Sequence, residues 1–427
     1  MRIYIVGAGG VGNALARLLA TRSFYDHVVI ADYDPDRADK AVAWIAKNHP
    51  NKKDHFSAST IDASSPTAIS RELRDHDATW VVNAVEPGFV ESIFQGSFDA
   101  GVNYLDMAMS LSSPHPTDPY NQPGVKLGDW QFEREDQWQD AGRLAIVGMG
   151  VEPGLSDVFA RYAQDELFSE IDELGVRDGA NLVVTDADGK EIFAPSFSIW
   201  TTIEECLNPP IIWEKDTGWF TTSPFSEPEV FNFPEGIGPV ECVNVEHEEV
   251  LLMPRWLDAK RVTFKYGLGE EFISVLKTLS TLGLDATTPT TVRTTPGADG
   301  RRGVAEVSPR DVVAAVLPDP AEIGPVMTGK TCAGVWVTGK GKDGEPKEVY
   351  VYHVADNQWT MEHFDTQCVV WQTALGPAVA LECVANGTWS GVGVLGPEAF
   401  DAKPFLELMS KDIADGGYGQ QYGVEDR

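Results

Sequence analysis

The sequence predicts an α/β protein: a doubly wound parallel sheet, interrupted by an α+β region, with a C-terminal helix returning to the first sheet. Three observations carry this. Strand-like apolar runs alternate with helical stretches through the first 150 residues. A glycine-rich turn joins the first run to the first helix. Short β-like runs and turns then take over, until helical texture returns at Cys368. The expected divisions are a nucleotide-binding unit over 1–153, an α+β substrate unit over 154–367, and a returning segment over 368–427.

The elements follow in order. Strand-like runs are Arg2–Val6, His27–Ala31, Thr79–Ala84, Asn103–Asp106 and Arg143–Val147. Helical stretches between them are Val11–Arg22, Pro35–Asn48, Pro66–Asp75 and Phe89–Ala100. This alternation is the mark of βαβ units, whose parallel sheets bind ligands at the carboxyl ends of the strands. Residues 110–142 break the rhythm with loops and a polar helix over Gln131–Gln139. A helix follows Gly154, with Leu155, Val158, Phe159 and Tyr162 on one face.

Further on, Leu174–Arg177, Leu182–Thr185, Val243–His247 and Arg261–Tyr266 read as short strands. Glu271–Leu282 reads as a helix, and Ser308 with Pro309 opens another. Thr331–Thr338 and Glu348–Val354 read as a hairpin around Asp343-Gly344. Residues 368–386 read as a helix with Gly376-Pro377 inside it, and the tail after Asp415 as loose.

Composition excludes several functions. At 427 residues the chain has room for two or three domains. Its net charge of −32 repels phosphate backbones and anionic lipid, so neither a nucleic acid nor a membrane is an expected partner. No apolar run reaches the roughly 18 residues of a membrane span. Met1–Val6 enters a strand directly, without a signal-peptide pattern, so a cytoplasmic protein is expected. The five cysteines are scattered without a CxxC pair, and no metal site or disulfide framework is expected.

The strongest motif is Gly7-Ala8-Gly9-Gly10-Val11-Gly12, between a strand and a helix. Gly7 permits a tight turn, Gly9 lets the backbone approach a pyrophosphate, and Gly12 permits close helix–strand packing. The helix N-terminus then offers free amides to phosphates. Asp32 ends the second strand, where a carboxylate accepts from ribose hydroxyls and repels a 2′-phosphate. NAD is therefore the expected cofactor, with NADP possible through Arg37. Asp62 either contacts the adenine or sits in a surface loop. Asn83 and Ala84 end the fourth strand, beside the expected nicotinamide. Asp106 ends the fifth, either as a catalytic or substrate-binding group or as a cap for the next turn.

Several segments together resemble the saccharopine dehydrogenase family, which includes saccharopine reductases, lysine 6-dehydrogenase and carboxynorspermidine dehydrogenase. They are Gly7–Gly12, Val81–Ala84, Gly101–Asp106, Met149–Gly154, Ile171–Gly179, Gly238–Glu241 and Trp371–Gly387 with Gly391–Gly393. The likeness spans nearly the whole chain. It implies a Rossmann unit interrupted by a substrate unit, and hydride transfer between a nicotinamide and a carbon–nitrogen bond. The sequence departs from the NADP-using reductases at Asp32.

An amino-acid substrate needs a cation for its carboxylate and an anion for its ammonium. Arg177 and Arg255 are the candidate cations, each equally readable as a structural ion pair. Glu246 is a substrate-side candidate, and His247 reads as a general base or as a satisfied structural histidine. Glu86 is placed to hold an ammonium near the nicotinamide. The expected activity is reductive condensation of an amine or amino acid with a carbonyl compound, or its reverse. The alternatives are a lysine- or diamine-type oxidative deaminase and a non-catalytic dinucleotide sensor. A homodimer through the second unit is expected.

Overall fold

The computed structural model describes residues 1–296 and 302–427. Six strands come from the first 150 residues: β1 (Arg2–Val6), β2 (His27–Asp32), β3 (Phe56–Thr60), β4 (Trp80–Asn83), β5 (Asn103–Asp106) and β6 (Leu144–Ile146). The helices between them are α1 (Gly10–Ala20), α2 (Pro35–Asn48), α3 (Pro66–Asp75), α4 (Val90–Ala100), α5 (Asp129–Phe132) and α6 (Glu135–Asp140). Local chemistry sets the boundaries. Asp34 accepts from the Asp36 amide ahead of Pro35, and Ser65 accepts from the Ala68 amide ahead of Pro66. Gly101 ends α4 at φ 72°, which favours glycine. The central strands are buried along their length, as a sheet covered on both faces requires.

The strands are parallel, in the order β3-β2-β1-β4-β5-β6. The order reverses between β1 and β4, which opens a crevice at their carboxyl ends. The seventh strand is β19 (Gly393–Leu395), which pairs parallel with β6.

α7 (Leu155–Tyr162) leads into a mixed second sheet of nine strands. Its centre is β7 (Phe168–Ala180), far longer than the short Leu174–Arg177 run expected from the sequence. β8 (Val183–Val184) and α8 (Ile199–Leu207) follow, then β9 (Ile211–Glu214), β10 (Gly218–Thr221), β11 (Glu229–Phe233) and β12 (Gly238–Asn244). The strand expected over Val243–His247 stops at Asn244. Val245–Glu248 lead instead into α9 (Glu249–Trp256).

β13 (Ala259–Gly267) runs parallel to β7. α10 (Gly269–Leu282), the ribbon β14 (Thr290–Pro296) and β15 (Arg302–Val307), and α11 (Pro309–Val316) form an outlying layer. β16 (Met327–Thr328) pairs with β8, and the hairpin β17 (Lys330–Gly341) and β18 (Pro346–Asp356) extends the sheet from β7.

α12 (Asn357–Phe364) turns the chain into α13 (Cys368–Ala385), which packs on α1. Arg22, just past the end of α1, grips both carboxylate oxygens of Glu382 at 2.8 Å. α13 is long and apolar enough by composition to span a membrane, which corrects the reading that no such segment exists. Its apolar side chains are spent on burial inside the protein, 78% of the window being covered. α14 (Ala402–Ser410) follows β19.

The tail is not loose. Tyr418 is buried and donates to Ala378 O and to Glu382, and β20 (Gly423–Asp426) pairs with β18. The last strand therefore belongs to the second sheet rather than to the first.

Candidate active site

The turn from β1 to α1 is built around three glycines with different duties. Gly7, at φ 105°, has no room for a side chain: a Cβ there would lie 2.6 Å from Ala84 O. A Cβ on Gly12 would fall 1.9 Å from Gly7 O, so helix and strand meet backbone to backbone. Gly9 faces open space. It is also the N-cap of α1, with no side chain capping the helix amides. Uncapped amides beside an open backbone form an anion site. Asn13 holds the turn by donating to Ala8 O at 2.6 Å and Gly9 O at 3.0 Å. α13 lies over the same turn, with Val370 packed beside Gly10 and Thr373 beside Gly150.

Asp32 closes the turn from the side. Its Oδ2 accepts from the Ala8 amide at 2.8 Å and its Oδ1 from the Asp34 amide at 3.0 Å. Each oxygen keeps a lone pair, so the carboxylate is fixed and still an acceptor. The open backbone at Gly9, the free amides and this anchored carboxylate fit a dinucleotide.

Where the carboxyl ends of β5 and β6 meet the second sheet, acidic side chains converge. Glu152 follows β6, and its carboxyl lies within hydrogen-bonding distance of Asp178 on β7. Burial, then the mutual charge, holds the Glu152 carboxyl well above its ordinary range. Glu205 of α8 is pushed up to about 8 by burial, against the opposing pull of His247.

His247 is the cation of this cluster. Its ring stacks on Phe264 at 3.8 Å, and Nδ1 lies 2.5 Å from Glu249 and 3.4 Å from Glu248. Burial alone would depress its pKa. The charge and hydrogen bond of Glu249, with Glu248 and Glu205 behind, raise it to about 10. Ser156 donates to the other oxygen of Glu249 at 3.2 Å. The phenol of Tyr266 stands over Asp178 and Glu205, which raise its pKa after burial has done so. Imidazolium among carboxyl groups gives one proton carrier beside an excess of negative charge.

Two family models match nearly the whole chain: the saccharopine dehydrogenase NADP binding domain over residues 3–146, and the saccharopine dehydrogenase C-terminal domain over residues 150–414. The chain belongs to the saccharopine dehydrogenase family. A carboxynorspermidine synthase of Vibrio alginolyticus is 31% identical over 415 residues, covering 96% of this chain and 94% of that one. A carboxyaminopropylagmatine dehydrogenase of Synechocystis is 26% identical over 413 residues, covering 96% and 95%. The apo glutamate-forming saccharopine dehydrogenase of Saccharomyces cerevisiae shares the fold, with a TM-score of 0.63 at 14% identity over 99% of each chain.

This saccharopine dehydrogenase family member is thus an oxidoreductase that uses a nicotinamide dinucleotide and acts at a carbon–nitrogen bond. Gly7, Ala8, Gly9, Gly10, Val11 and Gly12 form the phosphate turn just described, with Asp32 at its side. Asn83 is turned inward, donating to Tyr104 Oη at 3.1 Å and accepting from the Val85 amide at 3.2 Å. Ala84 contributes backbone, its amide bonded to Val6 O and its carbonyl against Gly7. Asp62 is exposed, and its carboxylate is engaged by Ser64, whose hydroxyl and amide hold its pKa down. That is the surface-loop reading.

Other candidates are placed differently from their sequence assignment. Asp106 is fully buried and accepts from Gly148 N, Tyr104 Oη and Gln131 Nε2. From there it braces the β5 and β6 ends. Burial nonetheless raises its carboxyl to about 7 against those three donors. Arg177 points to the opposite face of β7 from Asp178 and is consumed by Glu229 at 2.5 Å. Arg255 lies with its guanidinium 3.7 Å over the Phe132 ring, apart from the acidic cluster. Arg177 thus takes the ion-pair role, whereas Arg255 packs on Phe132 and donates to Leu251 O at 3.2 Å.

Glu246 is held by Ser112 and Asn208 at 2.9 Å each, tying the loop after β5 to α8. Glu86 is exposed at the crevice mouth, where partial burial and then the charge of Asp311 raise its carboxyl. Only His247, of the expected catalytic three, joins the cluster. Glu152, Asp178, Glu205, Glu249 and Tyr266 escaped the sequence reading. Asp178 gave no signal of its own, since β7 also carries the acids Glu170, Asp172 and Glu173.

Proposed function

We propose that this enzyme makes or oxidises the secondary amine of a carboxylated polyamine, using NAD(H) in preference to NADP(H). The observation that carries this reading is the charge imbalance around His247. Buried carboxyl groups of Glu152, Asp178, Glu205, Glu248 and Glu249 face one imidazolium. Burying unpaired carboxylates is costly, and a ligand bringing several ammonium groups relieves that cost. The names carboxynorspermidine and carboxyaminopropylagmatine, carried by the two relatives, describe such ligands.

The chain's own residues divide the work. The α1 amides and Gly9 hold the pyrophosphate, and Asp32 accepts from the adenosine ribose. A bound nicotinamide supplies or accepts the hydride. α13 and the loop after β5 roof the crevice and exclude water. His247, its ring fixed by Phe264 and Glu249, exchanges the amine proton at Nε2. The five cysteines are buried and unpaired, which supports a reducing, cytoplasmic setting. Leu282, Val304 and Val316 are 65%, 71% and 74% exposed on the outlying layer, which supports a homodimer through that face.

The test is NADH formation from NAD+ with carboxynorspermidine, carboxyaminopropylagmatine or saccharopine as donor. Turnover of either polyamine donor with none of saccharopine is the expected result. Turnover of saccharopine alone overturns the reading, and dinucleotide binding without turnover of any donor favours a sensor.

A further inference from the structure

Two pairs of carboxyl groups meet inside this protein, and their settings differ. Asp157 and Glu398 are both fully buried and join α7 to the turn before α14. Asp157 also accepts from the Gly154 amide at 2.6 Å. Glu152 and Asp178 instead bridge the two halves, one carried by the turn after β6 and the other by β7. Neither residue is completely buried. Among the described residues no donor reaches either oxygen of Glu152, and both oxygens are shut off from bulk solvent. Two carboxyl groups at hydrogen-bonding distance hold together only with a proton between them.

The surroundings supply no cation dedicated to this pair. Glu249 of α9 and His247 face it, and each satisfies the other's charge. Tyr266 of β13, Cys332 of β17 and Tyr350 of β18 complete the wall, all held neutral by burial. Glu205 of α8 lies beyond Tyr266.

We propose that the Glu152–Asp178 pair is the seat of a substrate ammonium group, which replaces the proton the two carboxyls share. This rests on the polyamine reading above. The ammonium donates to both carboxylates, the displaced proton leaves to solvent, and no covalent bond changes. The net charge of the filled seat equals that of the empty protonated seat. The same pair repels a substrate that presents a carboxylate here, so it selects polyamines over dicarboxylic amino acids.

The test titrates the NADH-bound enzyme with norspermidine, and separately with agmatine, by calorimetry near pH 7. Two buffers of different ionisation enthalpy give the proton count. Wild type is expected to release about one proton per amine bound. Glu152→Gln and Asp178→Asn are expected to weaken binding at least about tenfold and to abolish the release. A merely structural role would lower the melting temperature and leave the proton count intact. Amine binding without proton release in wild type overturns the proposal, and that measurement needs no variant to fold. Equal affinity and release in both variants overturns the seat alone. If wild type binds NADH but neither amine, the polyamine reading falls and the seat with it.

Discussion

The Ala8 amide donates to Oδ2 of Asp32 at 2.8 Å, so the carboxylate at the end of β2 is pinned to the phosphate turn itself. It cannot swing away to admit a 2′-phosphate without giving up a buried hydrogen bond. Arg37 lies 3.9 Å from Asp34 instead of reaching inward. Wild type should prefer NAD(H) over NADP(H) by at least about tenfold in kcat/KM, roughly 1.4 kcal/mol. Asp32→Ser should erode that ratio. Steady-state kinetics with both cofactors checks it, and equal use by wild type would refute the assignment.

Two glycine variants should fail in different ways. Gly9→Asp puts a side chain and a charge into open space, so the melting temperature should hold while calorimetric NADH binding disappears. Gly12→Ala puts a methyl group onto Gly7 O and should destabilise the fold itself. Loss of binding without loss of stability in Gly12→Ala would contradict the packing described here.

His247 makes stability fall at alkaline pH. Its folded pKa of about 10 lies above the ordinary 6.5. The stabilisation is therefore complete below about pH 6.5 and is lost as pH rises through 10. His247→Gln should cost about 3 kcal/mol at pH 6.5 by leaving Glu249 without its cation, and much less at pH 10. Urea denaturation at the two pH values decides this.

Asp106 pushes the same way through a different sign of chemistry. Its carboxyl is raised from 3.8 to about 7, so the native state holds its proton more tightly than the unfolded chain. Stability should fall as pH rises between about 4 and 7, then level off for this group. Asp106→Asn should flatten that part of the profile and cost about 1–3 kcal/mol by misplacing a donor opposite Gln131. A profile as steep as wild type would refute it.

The elements with local signals were legible in the sequence. Pro35, Pro66 and their capping Asp34 and Ser65 mark helix starts whatever the rest of the chain does, and β1 and β5 begin and end as read. The glycine turn was legible for the same reason. α9 was not, because Val250–Met253 suits a strand as well as a helix and Pro254 sits inside it.

The acidic seat was hidden for a deeper reason. Glu152, Asp178, Glu205 and Glu249 are four among 65 acidic residues. Only the parallel pairing of β7 with β13 and the turn after β6 bring them together. Arg177 shows the cost of reading a strand without its faces. One position away from Asp178, it belongs to the other side of the sheet and to Glu229.

β19 is the neighbour of β6, yet β6 ends at Ile146 and β19 begins at Gly393. On the ribosome, the nucleotide-binding sheet must therefore wait with an open edge while the whole second sheet is made. α13, which roofs the glycine turn, emerges only shortly before β19 does. Dinucleotide affinity should accordingly arise late in translation, and a nascent chain stalled before Cys368 should expose the β6 edge and the uncovered flank of α1 to chaperones.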